Sequence, residues 1–101
     1  GIVDRDLPSV LRYDASTSDH FRPHVDVGQF ACTRKLTFVV QLSDPNDYLG
    51  GDLIFPIDGA VGSRGQGTLI TFPAFTPHQA TPVIYGQRHA IVGWLHGPSF
   101  R

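Results

Sequence analysis

The sequence predicts an all-β domain, a sandwich or a jelly roll, on three observations. Short runs of β-branched and aromatic residues recur along the chain, and clusters of Gly, Pro, Asn and Asp separate them. No window of a dozen residues keeps apolar positions at helical spacing without an interrupting Gly or Pro. Regularly spaced short strands without helices are the pattern of those two architectures.

Seven strands are expected, at residues 11–14, 24–27, 36–42, 52–55, 68–72, 79–84 and 89–96, each rich in β-branched or aromatic residues. Turn-formers lie between them: Ser43-Asp44-Pro45-Asn46-Asp47, Gly50-Gly51, Asp58-Gly59 and the run from Gly62 to Gly67. The segment Leu36-Thr37-Phe38-Val39-Val40-Gln41-Leu42 is apolar on both faces and so expects cover on each side. A second sheet supplies one cover. Flanking helices beyond this chain, or a partner subunit, are expected to supply the other.

A chain of 101 residues with 17% charged residues reads as a single domain with room for one core and one site. Its formal net charge of −1 provides no basic field for a phosphate backbone, so no nucleic-acid partner is expected. No stretch approaches the ~20 apolar residues of a membrane span. Cys32 is the sole cysteine, which excludes an internal disulfide and fits a reducing, cytoplasmic location. The chain opens on Gly1 and contains no Met, which reads as a processed or cut end of a longer protein.

Chemistry concentrates in two places. In His24-Val25-Asp26 the imidazole and the carboxylate are two apart, so in a strand they point to one side and converge on one ion. His78, in Thr76-Pro77-His78-Gln79, opens a later strand and supplies a second imidazole. Two His and one carboxylate hold non-heme Fe(II) on one face and leave positions open. A His-x-Asp pair alone is a common accident, so context has to carry the reading. Arg88 is that context: a guanidinium grips a terminal carboxylate through two parallel hydrogen bonds, as a dicarboxylate co-substrate needs. Strand alternation puts Arg88, Ala90, Val92, Trp94 and His96 on one side, an inward one, and a buried Arg requires an anionic partner. His20 stands four before His24, the spacing of a helical zinc pair, but Pro23 between them argues against a helix. Trp94 reads first as a core aromatic and His89 as a surface or packing residue.

These residues stand in a longer pattern that resembles the Fe(II)/2-oxoglutarate dioxygenases of the prolyl 4-hydroxylase type, most closely the PKHD-type hydroxylases. The resemblance runs in order from Tyr13 through His24-x-Asp26 and Arg34-x-x-Thr37 to Leu42-Ser43-Asp44-Pro45-Asn46-Asp47-Tyr48-x-Gly50-Gly51-Asp52-Leu53. It continues through Gly67-Thr68-Leu69, Pro73 and His78-Gln79-Ala80-Thr81-Pro82-Val83 to Gly86-x-Arg88 and Trp94. The stretch from Ser43 to Gly51 is more discriminating than the His-x-Asp pair.

The resemblance implies a double-stranded β-helix, a minimal cupin-like jelly roll with few or no helices. It implies that His24, Asp26 and His78 are the catalytic iron ligands, that Arg88 holds the C5 carboxylate of 2-oxoglutarate, and that Tyr13 and Gln41 help bind the co-substrate. Fe(II), 2-oxoglutarate and O2 are the implied cofactors, with ascorbate in a supporting role. The implied reaction is hydroxylation of an aliphatic C–H on a prolyl or lysyl residue of a peptide or protein, coupled to decarboxylation of the keto acid. The carboxylate at Asp26 favours hydroxylation, since relatives that halogenate carry a small residue there. The loops at 43–51 and 57–67 are the expected substrate contacts. A free amino acid or small molecule as substrate, a jelly-roll metal-binding or sensor module without turnover, and a fragment lacking substrate-recognition elements remain open.

Overall fold

The computed structural model describes residues 7–15 and 33–98. Nine strands follow in order: β1 Ser9–Tyr13, β2 Arg34–Gln41, β3 Tyr48–Gly50, β4 Leu53–Phe55, β5 Ala60–Val61, β6 Leu69–Pro73, β7 Gln79–Ala80, β8 Val83–Gly86 and β9 Arg88–His96. One turn of 3-10 helix, Pro45–Asp47, lies between β2 and β3. Its entry is capped by the Asp44 carboxylate, which accepts from the Asn46 N–H at 2.9 Å, while Pro45 presets the first turn. The expected strand at 24–27 lies outside the described residues.

The larger sheet has the order β1-β9-β2-β6, antiparallel throughout. Sequence neighbours are therefore not sheet neighbours, because β9 returns to lie between the first two described strands. The facing layer consists of β3 with β8 and of β4 between β5 and β7. These two ladders run on from one another: Tyr48 pairs with Gly86, Gly50 with Val83, Leu53 with Ala80 and Ile54 with Gln79. They form one antiparallel pairing interrupted at its middle. There Pro82 has no N–H to donate, and Gly50 and Gly51 adopt positive φ values of 76° and 67°. The gap is bridged by Gly51 N–H to the Pro82 carbonyl at 3.1 Å and Thr81 N–H to the Asp52 carbonyl at 2.7 Å.

Three expectations are corrected by this pattern. The single strand foreseen over 79–84 is two strands, because Thr81-Pro82 cannot continue the ladder. The Gly50-Gly51 turn closes a strand, β3, rather than lying between longer ones. Part of the loop expected over 57–67 is paired, as Val61 lies opposite Ile54.

The core sits between the layers. In β2 the burial follows a period of two, so Thr37, Val39 and Gln41 are buried while the residues between them are less so. Val39 faces Val92 and Ile70 across its two neighbours, and with Phe72 and Ala90 it packs against Leu53 and Phe55 of the second layer. A smaller cluster joins Tyr13, Tyr48, Ala80 and Val83. The opposite face of the larger sheet is also apolar. Val10, Ile91, Val40 and Leu69 lie in one row across it, and Val10 and Leu69 are 66% and 60% exposed. The sequence's demand for cover on both sides is thus met on one side by the described residues. None of their helices is long and apolar enough to cross a membrane.

Candidate active site

A cavity of about 260 Å³ opens between the two layers. Ser9, Tyr13, Thr37, His78 and Arg88 are the polar residues of its wall, with Trp94 and aliphatic side chains such as Leu11, Val39, Leu53 and Val92 between them. A mostly apolar pocket with a few convergent polar groups is the usual form of a small-molecule site.

His78 is held from two directions. Its Nδ1 lies 2.9 Å from the Thr76 carbonyl oxygen. A carbonyl only accepts, so Nδ1 carries the proton and, in the neutral ring, Nε2 carries the lone pair. The Phe72 ring packs against the imidazole with centroids 4.7 Å apart, and Phe55 braces Phe72 edge-on at 4.9 Å. A tautomer set by a backbone carbonyl is the common second support of a metal-binding histidine. His78 is 7% exposed, so its orientation comes from the core and not from solvent.

Arg88 opens β9 on the inward side and is 2% exposed. Its Nε donates to Gln41 Oε1 at 3.1 Å, and its guanidinium carbon lies 4.8 Å from the centre of the Tyr13 ring, which pairs with it across β1 and β9. Among the described residues no carboxylate forms an ion pair with it. The expected anionic partner is thus not found among the described residues, as fits a cation kept for an anionic ligand. Tyr13 is buried beside Arg88 as a wall of the cavity.

Gln41 sits behind Arg88. It is buried, but its amide oxygen is taken by Arg88, and its Nε2 donates to the Ser63 carbonyl at 3.1 Å. It braces the arginine instead of lining the cavity. Thr81 serves the strand, its hydroxyl accepting from the Asp52 N–H at 2.7 Å. The His89 ring turns to Ser43, its Nδ1 3.5 Å from the Oγ that also accepts the His89 backbone N–H at 2.8 Å, and His96 contacts the Thr33 hydroxyl at 2.8 Å. Neither faces the cavity. Trp94 lines it, with the Arg34 guanidinium 3.7 Å above its ring.

His24, Asp26, His20 and Cys32 lie outside the described residues. Among the described residues no three His, Cys, Asp or Glu side chains gather in one place. Of the implied iron ligands His78 is the one described, and its tautomer-fixed imidazole fits a metal; Arg88, with no carboxylate ion-paired to it among the described residues, shares the same cavity wall.

Two parts of the site were not anticipated. The discriminating stretch from Ser43 to Gly51 is largely framework: Tyr48 is 1% exposed beneath the Arg64 guanidinium, 4.3 Å from its ring centre. Arg64 also donates to the Asp52 carboxylate at 2.6 Å, the Gly50 carbonyl at 2.8 Å and the Tyr48 carbonyl at 3.2 Å. Nothing in the Gly-rich stretch around Arg64 announces that role. Phe72 was legible only as an alternating strand residue.

Comparison with known proteins agrees with this geometry. The family model for the 2OG-Fe(II) oxygenase superfamily matches residues 8–96. The chain is similar to a PKHD-type hydroxylase of Synechococcus elongatus, 41% identical over 64 residues, which are 59% of this chain and 28% of that protein. A PKHD-type hydroxylase of Prochlorococcus marinus is 31% identical over 98 residues, 92% of this chain and 43% of that one. The chain therefore spans less than half the length of these relatives. Among solved structures, a Pseudomonas putida prolyl-4-hydroxylase superposes with a TM-score of 0.71 at 24% identity, covering 90% of this chain and 52% of that one. That likeness carries the fold, a jelly roll. From the match across nearly every described strand and the shared fold, the chain belongs to the 2OG-Fe(II) oxygenase superfamily, a family of dioxygenases that use Fe(II), 2-oxoglutarate and O2.

Proposed function

We propose that the 101 residues form one dioxygenase domain that hydroxylates an aliphatic C–H, with a prolyl or lysyl residue of a peptide or protein as substrate. One observation carries the reading: Arg88, buried on the cavity wall, has no carboxylate ion-paired to it among the described residues, while His78 on the same wall has its tautomer set by Thr76. A module that only bound a metal would have no use for that guanidinium. The peptide substrate is supported by the likeness to hydroxylases named for prolyl chemistry.

In this reading His24, Asp26 and His78 hold Fe(II), and Arg88 receives the distal carboxylate of 2-oxoglutarate. Bound together, iron and keto acid supply the oxidising chemistry: O2 is consumed, 2-oxoglutarate leaves as succinate and CO2, and the substrate carbon gains a hydroxyl. The chain's own residues orient the reactants. Arg88 pins one end of the co-substrate so that its keto-acid end meets the metal in a single pose. Tyr13 lies along the guanidinium and limits its swing. Leu11, Val39 and Val92 keep the wall dry, which strengthens the Arg88–carboxylate attraction. Ascorbate is a supporting reductant and the location is cytoplasmic in the same reading.

The test is anaerobic addition of Fe(II) and 2-oxoglutarate, following the weak visible charge-transfer band of the chelate in the native chain and in Asp26→Ala and Arg88→Ala. A band that weakens in both variants, with succinate formed on a proline-rich peptide after O2 is admitted, supports the reading. Metal binding without a band sinks it and leaves the metal-binding module.

A further inference from the structure

Gln41 occupies an unusual position for a polar side chain. It is 2% exposed, and both ends of its amide are engaged. Its partners settle which end is which: Arg88 Nε only donates, so the amide oxygen faces it, and the Ser63 carbonyl only accepts, so the amide nitrogen faces that. The backbone of Gln41 is tied to the same stretch of chain. Gly67 N–H donates to the Gln41 carbonyl at 2.6 Å, and Gln41 N–H to the Thr68 carbonyl at 3.0 Å.

A guanidinium can meet a carboxylate side-on, through Nε and one terminal nitrogen, or end-on, through its two terminal nitrogens. With Nε committed to Gln41, the side-on pose that uses it is closed. Resting on the reading of Arg88 as co-substrate anchor, we infer that Gln41 is a positioning residue: it holds Arg88 for end-on capture of the distal carboxylate and couples that pose to the Ser63–Gly67 segment. The selection of a dicarboxylate over a monocarboxylate keto acid thereby depends on a residue outside the cavity wall. Arg64 takes part at one remove, because its bonds to Tyr48, Gly50 and Asp52 anchor the residue next to Ser63.

The experiment compares the full chain with Gln41→Leu and with Gln41→Met, whose unbranched side chain has similar length. Mn(II) stands in for Fe(II), and calorimetry measures binding of 2-oxoglutarate and of 2-oxovalerate, which has the same carbon chain without the distal carboxylate. In both variants 2-oxoglutarate affinity is expected to fall about tenfold, the scale of one buried hydrogen bond, while 2-oxovalerate affinity stays put. Retained 2-oxovalerate binding also reports that the variants fold. A second readout needs no metal: the Arg88 Nε–H, held by Gln41, gives a slowly exchanging proton–nitrogen NMR signal that both variants lose. Full 2-oxoglutarate preference, or a persistent Nε–H signal, in Gln41→Leu overturns the inference. Arg88→Leu separates the two levels: if it keeps the preference, the anchor reading fails and this inference with it, whereas preference lost there but kept in Gln41→Leu overturns the inference alone.

Discussion

Gly51 lies against the stem of Arg88, so that a β-carbon at position 51 would stand 3.3 Å from Arg88 Cδ and 2.9 Å from Val83 Cγ2. The glycine that interrupts the second layer is therefore also the floor beneath the cation of the site. Its φ of 67° is the left-handed conformation that glycine adopts without steric cost. Gly51→Ala is expected to destabilise the fold by about 2 kcal/mol, adding the strain of a non-glycine residue in that region to the Val83 contact. It should also weaken 2-oxoglutarate binding by displacing Arg88. Urea unfolding and a co-substrate titration measure the two effects. An unchanged affinity would mean that Arg88 absorbs the contact.

Arg64 braces three backbone or side-chain acceptors at once and is 29% exposed on its side chain. Its partner Asp52, 35% exposed on its side chain, contributes little after screening, so the two carbonyl bonds dominate. Arg64→Ala is expected to cost about 1–2 kcal/mol. The loss should be local first, seen as faster hydrogen exchange at the Gly62 and Gly67 amides, which now bond to Leu53 and Gln41. Exchange that rises equally across β2 and β9 would instead point to global destabilisation.

Trp94 Nε1 is the one buried side-chain polar atom among the described residues with no hydrogen-bond partner. Replacing it with an apolar ring forfeits no bond, so Trp94→Phe should change stability by less than about 1 kcal/mol. Trp94→Ala, which removes the ring under Arg34, should cost about 3 kcal/mol. Similar large losses in both variants, read by denaturant unfolding, would assign the indole N–H a bond of its own.

Metal loading offers a stability readout independent of turnover. With Mn(II) at about a hundred times its dissociation constant, the folded state should gain about 2.7 kcal/mol. For a domain of this size that raises the melting temperature by roughly 10 °C or more. The shift should vanish in His78→Ala and in Asp26→Ala. Persistence in His78→Ala would place the ion elsewhere.

The inward side of β9 was legible from sequence because a period of two along a strand is a local property: Arg88 and Ala90 are both buried as alternation required. Local turn chemistry was equally legible, with Asp44-Pro45 capping its turn. His78 could be named from its motif, since the Thr76 carbonyl that sets its tautomer is two residues away. What depended on distant chain segments was not legible. Gln41 meets Arg88 and Ser63 only because β9 returns beside β2 and the stretch after β5 folds back over it, so these two hydrogen bonds were decided by tertiary structure. The break at Thr81-Pro82 was half visible in the proline, but the partner glycines that complete it lie about thirty residues earlier. Sequence alone nominated the side chains proposed to carry the chemistry, through short motifs and the family resemblance they build. The approach of strands far apart in the chain decided how Arg88 is held, because hydrogen bonds between distant residues exist only once the sheet has brought them together.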